Sequence, residues 1–147
     1  MNANPRAKFF VDTNILMYAH DRSIAAKHQR AAKLVEELWA SGAGVVSTQV
    51  LQELCVNIRK KSANPLIFNE IRELIEDYLD WEVVENSGES ILAALTIEQR
   101  FGISFWDALI IHAAETAGAE ILYSEDLSAN QNYGSVRVVN PFLVPLP

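Results

Sequence analysis

A single cysteine, Cys55, excludes an intramolecular disulfide, and the three histidines give little material for a zinc site. His20 and His28 have no cysteine or histidine partner at zinc-ligand spacing, and Cys55 falls on an apolar helix face. No uninterrupted apolar run approaches the roughly 20 residues of a membrane helix. Nor does a charged start followed by an apolar stretch and cleavage site mark a secretory signal. These absences predict a soluble protein of a reducing cytoplasm, without a membrane partner. There is no internal repeat or low-complexity segment. At 147 residues, 50% of them hydrophobic, the chain suits one domain over residues 1–147 with its own core.

Positive charge is scarce too, and unevenly placed. The net charge is −7, yet residues 1–61 carry nine Lys and Arg against five acids, while residues 62–147 carry three against fourteen. Such an acidic body disfavours long-range, sequence-blind binding to duplex DNA. Arg6 with Lys8, the run Lys27, His28, Arg30 and Lys33, and the cluster Arg59, Lys60 and Lys61 are candidates for a local phosphate-binding rim. Taken singly, each is an ordinary solvated helix face.

What is present is an alternation of strand-like and helix-like runs, the pattern of an α/β sandwich around a mostly parallel sheet. Residues 8–11, 44–47, 81–84, 121–123 and 136–139 read as strands. Residues 15–18 suggest a short helix, and residues 25–40 a longer one with Ala32, Val35, Leu38 and Trp39 as its apolar stripe, ended by Gly42 and Gly44. Residues 48–61 predict a helix with Val50, Leu51, Leu54, Cys55 and Ile58 inward. Asn64 as cap and Pro65 as first helical residue predict the next, with Leu66, Ile67, Ile71, Leu74, Ile75 and Leu79 at helical period. Asn86 and Glu89 have capping-box spacing for a helix over 87–101, closed by Gly102. Ser104 caps the last, with Trp106, Leu109, Ile110 and Ala113 in register before Gly118. Trp39, Trp81 and Trp106 read as core anchors in preference to base-stacking platforms, although Trp106, beside Asp107, is placed to reach the cleft.

Four carboxylates stand where these segments begin or end: Asp12 closes FFVD, Glu53 lies in STQVLQEL, Asp107 opens FWDALIIHA and Asp126 follows ILYSED. In an open α/β sheet the ligand crevice lies beyond the carboxyl ends of the strands, where Asp12 and Asp126 fall. Each acid has a plain alternative. Asp107 is placed to satisfy a helix N-terminus, Glu53 shares a face with Gln49 and Asn57 as a solvent-facing glutamate does, and Asp12 and Asp126 suit turns. Brought together, however, they cannot all stay ionised without a cation. All-oxygen ligands select hard ions such as Mg²⁺ or Mn²⁺, whose usual work is phosphoryl chemistry. Asn14 and Ser124, on the same two strand ends, suit orienting the waters of such an ion. His112 and Glu115 share a helix, but in the order opposite to a Glu-x-x-His metal motif and without a second copy.

The ordered set FVDTN, VVSTQ followed by QELC, GIS followed by FWDALI, then ILYSEDL and VRVVNPF resembles the PIN-domain ribonucleases, and within them the toxins of VapBC-type toxin–antitoxin pairs. The resemblance covers nearly the whole chain. It implies a PIN-like three-layer sandwich with a mostly parallel central sheet flanked by helices. It also implies a metal-dependent endoribonuclease whose acidic quartet is Asp12, Glu53, Asp107 and Asp126, supported by Asn14 and by Ser124, where the family more often has threonine. One or two Mg²⁺ or Mn²⁺ ions, an RNA substrate, products with 5′-phosphate and 3′-hydroxyl ends, a cognate antitoxin and a homodimer follow from the same likeness. The segment 66–79 with Trp81 offers apolar surface for that dimer. Two other readings start from the same acids. One is a PIN nuclease of RNA maturation without an antitoxin; the other is a non-enzymatic, Mg²⁺-binding receiver-like module. Receivers place adjacent acids after the first strand and a lysine after the last, whereas Val11 and Thr13 flank Asp12 here, and Asn140 and Pro141 follow residues 136–139.

Overall fold

The runs FFV, GVVS and ILY are apolar almost throughout, as strands covered by helices on both faces must be. The computed structural model describes residues 7–60 and 66–143, and there these runs are β1 (Phe9–Val11), β2 (Gly44–Ser47) and β4 (Ile121–Tyr123). Together with β3 (Glu82–Val84), β5 (Asn132–Tyr133) and β6 (Val136–Val139) they form a sheet in the order β3-β2-β1-β4-β6-β5. All pairings are parallel except β5 with β6. The helices are α1 (Thr13–His20), α2 (Ala25–Ser41), α3 (Thr48–Lys60), α4 (Phe68–Tyr78), α5 (Gly88–Phe101) and α6 (Phe105–Ala117). Helix α1 packs on α2 and α3, which reach β2, while α5 packs on α6, which runs against β2, β3, β4 and β6. The mostly parallel α/β architecture read from the sequence is therefore the one adopted. Among the described residues, no helix is long and apolar enough to cross a membrane.

Strand order decides where a ligand goes. From β1 the chain builds outward through β2 to β3, then returns to the other side of β1 with β4. The connections leaving β1 and β4 thus diverge, and a crevice opens at their carboxyl ends. Val11 pairs with Tyr123, so the residues that follow each strand, Asp12 and Ser124, emerge side by side.

Several expectations shift in detail. Arg6, Lys61, Asn64 and Pro65 lie outside the described residues. Helix α4 begins at Phe68, because Ile67 is extended and donates its amide to Glu70 Oε1 at 3.0 Å; Leu66 and Ile67 precede the helix instead of opening it. Leu79 caps its far end and is exposed. The cap of α5 is Ser87 paired with Ser90, one residue beyond the expected Asn86 and Glu89, while the Asn86 amide donates to Thr48 Oγ1. Along α2 the buried residues are Ala31, Leu34, Val35 and Leu38, leaving Trp39 partly exposed. Gly42, Gly102 and Gly118 end α2, α5 and α6 at φ near +70°, where glycine carries no steric penalty.

Gly44 has a different reason to be glycine. A β-carbon there would lie 2.5 Å from the Trp81 ring, which is buried and wedged against Trp39 and Tyr78 at centroid distances of 5.4 and 5.1 Å. The ring cannot swing aside without unpacking that aromatic cluster. Gly44→Ala is expected to destabilise the protein by about 1–3 kcal/mol, the usual cost of overpacking, read as a lower urea midpoint at unchanged m-value.

Candidate active site

Asp12 continues β1 into α1 and caps that helix: its Oδ1 accepts from the Thr13 amide at 2.8 Å. Its Oδ2 accepts from Ser124 Oγ at 2.8 Å, and the same hydroxyl accepts from the Asp126 amide at 3.2 Å. The β1 and β4 ends are thus stapled through one carboxylate and one small hydroxyl. Threonine's extra methyl is not needed for either bond. Asn14, one helical step on, donates from Nδ2 to Asp126 Oδ2 at 2.8 Å and accepts the Glu125 amide on Oδ1 at 3.3 Å. Both residues expected to support the site contact its acids.

The other two acids arrive on helices. Glu53 projects from α3 and accepts from Thr13 Oγ1 at 2.6 Å. It shares a polar line with Gln49 and Asn57, four residues to either side, and all three face the same cavity. That line is a site wall and not the plain solvent face that Glu53's neighbours suggest. At the start of α6, Ser104 takes the capping role by accepting from the Asp107 amide at 3.1 Å, which leaves the Asp107 carboxylate on the cavity wall.

Asp12, Glu53, Asp107 and Asp126 therefore line one cavity of about 410 Å³, with Thr13, Asn14, Asp21, Gln49, Asn57 and Trp106 among its other walls. Burial pushes the Asp12 carboxyl up to about 7; bonds from Ser124 and Thr13 pull against this, and the charges of Glu53 and Asp126 add to it. Burial also raises the Asp107 carboxyl, against a hydrogen bond with Ser104 and with help from the Asp126 charge. Among the described residues, no lysine or arginine lines this cavity.

The described members of the candidate phosphate-binding rim do not border that cavity. Lys8 precedes β1, at the opposite edge of the sheet, and binds Glu82 at 2.8 Å and the Ala117 carbonyl at 3.1 Å. Lys27 is paired with Glu125 and lies over the Tyr18 and Phe142 rings. Arg59 donates to the Cys55 carbonyl and covers Phe68.

The donor set fits a hydrated divalent ion better than a closed cage. Among the described residues, no three carboxylate, imidazole or thiolate groups converge as a ready-made coordination sphere. The acids stand instead around a space wide enough for an ion with its own waters, and Mg²⁺ characteristically keeps several waters and takes one or two carboxylates. The histidines take no part. His20 bonds Tyr78 Oη at 2.7 Å with its basicity lowered by burial, His28 bonds the Tyr18 carbonyl, and His112 meets Thr116 on its own helix. Trp106 corrects an expectation: it is 63% exposed, whereas Trp81 is buried as expected. Asp21 has no signal in the sequence, Thr13 is not marked there as Glu53's partner, and Gln49 and Asn57 read there only as solvent-facing neighbours of Glu53. The four-residue spacing of Gln49, Glu53 and Asn57 was the available signal for two of them.

The family model of the PIN domain matches residues 9–133. Among solved structures, VapC20 of Mycobacterium tuberculosis, a sarcin-ricin loop cleaving toxin, is similar at a TM-score of 0.63 and 21% identity, over 81% of this chain and 90% of that one. A toxin–antitoxin complex from Klebsiella pneumoniae gives 0.67 and 18%, covering 92% and 98%. DNA-bound VapBC from Salmonella typhimurium gives 0.61 and 18%, covering 90% and 97%. At these identities the likeness is one of fold. No curated protein matches the sequence.

Proposed function

The chain belongs to the PIN-domain family, and on that premise we propose that it is a single-domain, metal-dependent endoribonuclease of the cytoplasm, the toxin of a toxin–antitoxin pair. One observation carries the reading. The cavity at the sheet's switch point is walled by Asp12, Asp21, Glu53, Asp107 and Asp126, with no basic residue among its described lining. A phosphodiester is repelled from such a place unless cations enter with it. Asp12, Asp107 and Asp126, with Glu53, would hold Mg²⁺ or Mn²⁺ there. The bound ion supplies neutralisation of the phosphate and acidification of water.

The chain's own groups do the rest. Ser124 and the Thr13 amide fix both oxygens of Asp12, and Asn14 fixes Asp126. Thr13 Oγ1 holds Glu53, whose carboxylate would either join the ion or take the proton of the attacking water. Water's oxygen bonds to phosphorus as the bond to the 3′-oxygen breaks, and the departing oxygen takes a proton from a solvent water, leaving a 5′-phosphate and a 3′-hydroxyl. EDTA is expected to abolish cleavage of an RNA pool, and Mg²⁺ or Mn²⁺ to restore it and raise the melting temperature. Undiminished cleavage in EDTA would overturn the metal mechanism.

An antitoxin partner is supported by the toxin–antitoxin complexes that share the fold. A homodimer is supported by exposed apolar side chains at Phe68, which opens α4, and at Ile67 and Leu79, which flank that helix, although Trp81, buried in the aromatic cluster, does not extend that surface. Light scattering is expected to give twice the monomer mass at micromolar concentration. A monomer throughout that range would remove the dimer while leaving the nuclease reading standing.

A further inference from the structure

We propose that Trp106 is a stacking platform for an unpaired nucleotide of the RNA, next to the phosphodiester that is cut. The inference rests on the nuclease reading and assigns a role to a residue outside the acidic quartet.

Among the three tryptophans, Trp81 is buried, and Trp39 packs against Tyr78 and Trp81. Trp106 alone leaves most of its indole in solvent. An exposed indole is unusual, and this one sits on the wall of the acid-lined cavity beside Asp107. It is also supported: the Phe105 ring meets it edge-on at 5.4 Å and 80°, and its carbonyl accepts from Gln49 Nε2 at 3.2 Å.

Gln49 is the second observation. It is only 5% exposed, it lines the cavity, and its Oε1 has no hydrogen-bond partner among the described residues. An orphan acceptor in a substrate cavity asks for a donor, which a ribose hydroxyl or a base amino group supplies. Charge points the same way. With a net charge of −7 and no lysine or arginine among the described lining of the site, a basic groove is a poor source of hold on RNA, so the base faces become the main source of affinity outside the cation site. A paired base has both faces covered by its neighbours, so an unpaired one is required.

The test is steady-state cleavage of a short single-stranded RNA by the parent, Trp106→Phe, Trp106→Leu and Trp106→Ala proteins, with light scattering on each. Trp106→Leu and Trp106→Ala are expected to raise KM about tenfold or more at little-changed kcat, a factor of ten being about 1.4 kcal/mol. Trp106→Phe, which keeps a π-face, is expected to retain most of the parent affinity. Parent KM in Trp106→Leu overturns the proposal, as does unchanged KM combined with a lost dimer, which would make the ring a protein contact. If the parent itself cuts no RNA, the nuclease reading is what fails.

Discussion

Asp107→Asn is expected to lower RNA cleavage by roughly a hundredfold or more while the protein stays folded. Loss of a partner that merely orients a metal ligand already costs 10–100-fold, and Asp107 is assigned to the ligands themselves. Its geometry separates that role from helix capping. The cap of α6 is the Ser104 hydroxyl, which accepts from the backbone amide of residue 107, and that bond survives the substitution. What is lost is a carboxylate already disfavoured by burial and by Asp126. Its favourable interaction with the helix N-terminus is worth at most about 1 kcal/mol, partly offset by relief of the repulsion. Initial rates on a defined RNA, with melting curves run alongside, give both halves of the result. Cleavage within a factor of two of the parent would reduce Asp107 to a helix-terminal charge and break the quartet.

The acids were legible in the sequence because the strands were. FFV and ILY are too apolar and too short to be anything but buried strands, so Asp12, directly after the first, and Asp126, three residues past the second, land at the carboxyl edge of the sheet. Asn14 and Ser124 come with them, each two positions from an acid of the quartet. The residues 44–47, 121–123 and 136–139 fold as strands with the bounds their composition gives. The contacts that cross the chain were not legible. Thr13 reaches Glu53 across 40 positions, and Gln49 reaches the Trp106 carbonyl across 57, with no local pattern to announce either. Strand β5 is two residues long and exists through its pairing with β6, so periodicity had nothing to register. Trp106 misled because it shares helical spacing with Ile110 and Ala113, which are buried; it sits in the first turn, where α6 meets the cavity. Charge counting misled about Lys8, since a run of residues does not say at which end of a strand its cation lies.

A metal-free protein that becomes less stable as pH rises from 5 to 8 is the expected consequence of Asp12. Its folded carboxyl titrates at about 7, against 3.8 for the unfolded chain. Between those values the native state holds a proton that the unfolded state has released, so stability falls with increasing pH. The contribution is complete below about pH 4 and is lost as pH passes through 7. Its upper bound is on the order of 4 kcal/mol, from about 3 units at 1.36 kcal/mol each. Asparagine at this position can still accept from the Thr13 amide and meet the Ser124 hydroxyl, whose rotor adapts to a donor. Urea midpoints of EDTA-treated parent and Asp12→Asn proteins at pH 5 and 8 isolate the effect, because every other titration is common to both. The parent should lose a few kcal/mol more than the variant over that interval. Divalent ions should shrink the difference, since a cation at the site takes over the neutralisation that the proton provides and binds more tightly as pH approaches 7. A gap between parent and Asp12→Asn that is the same at both pH values would mean that Asp12 is already ionised in the empty site, and that its neighbours tolerate the crowded charge without either proton or metal.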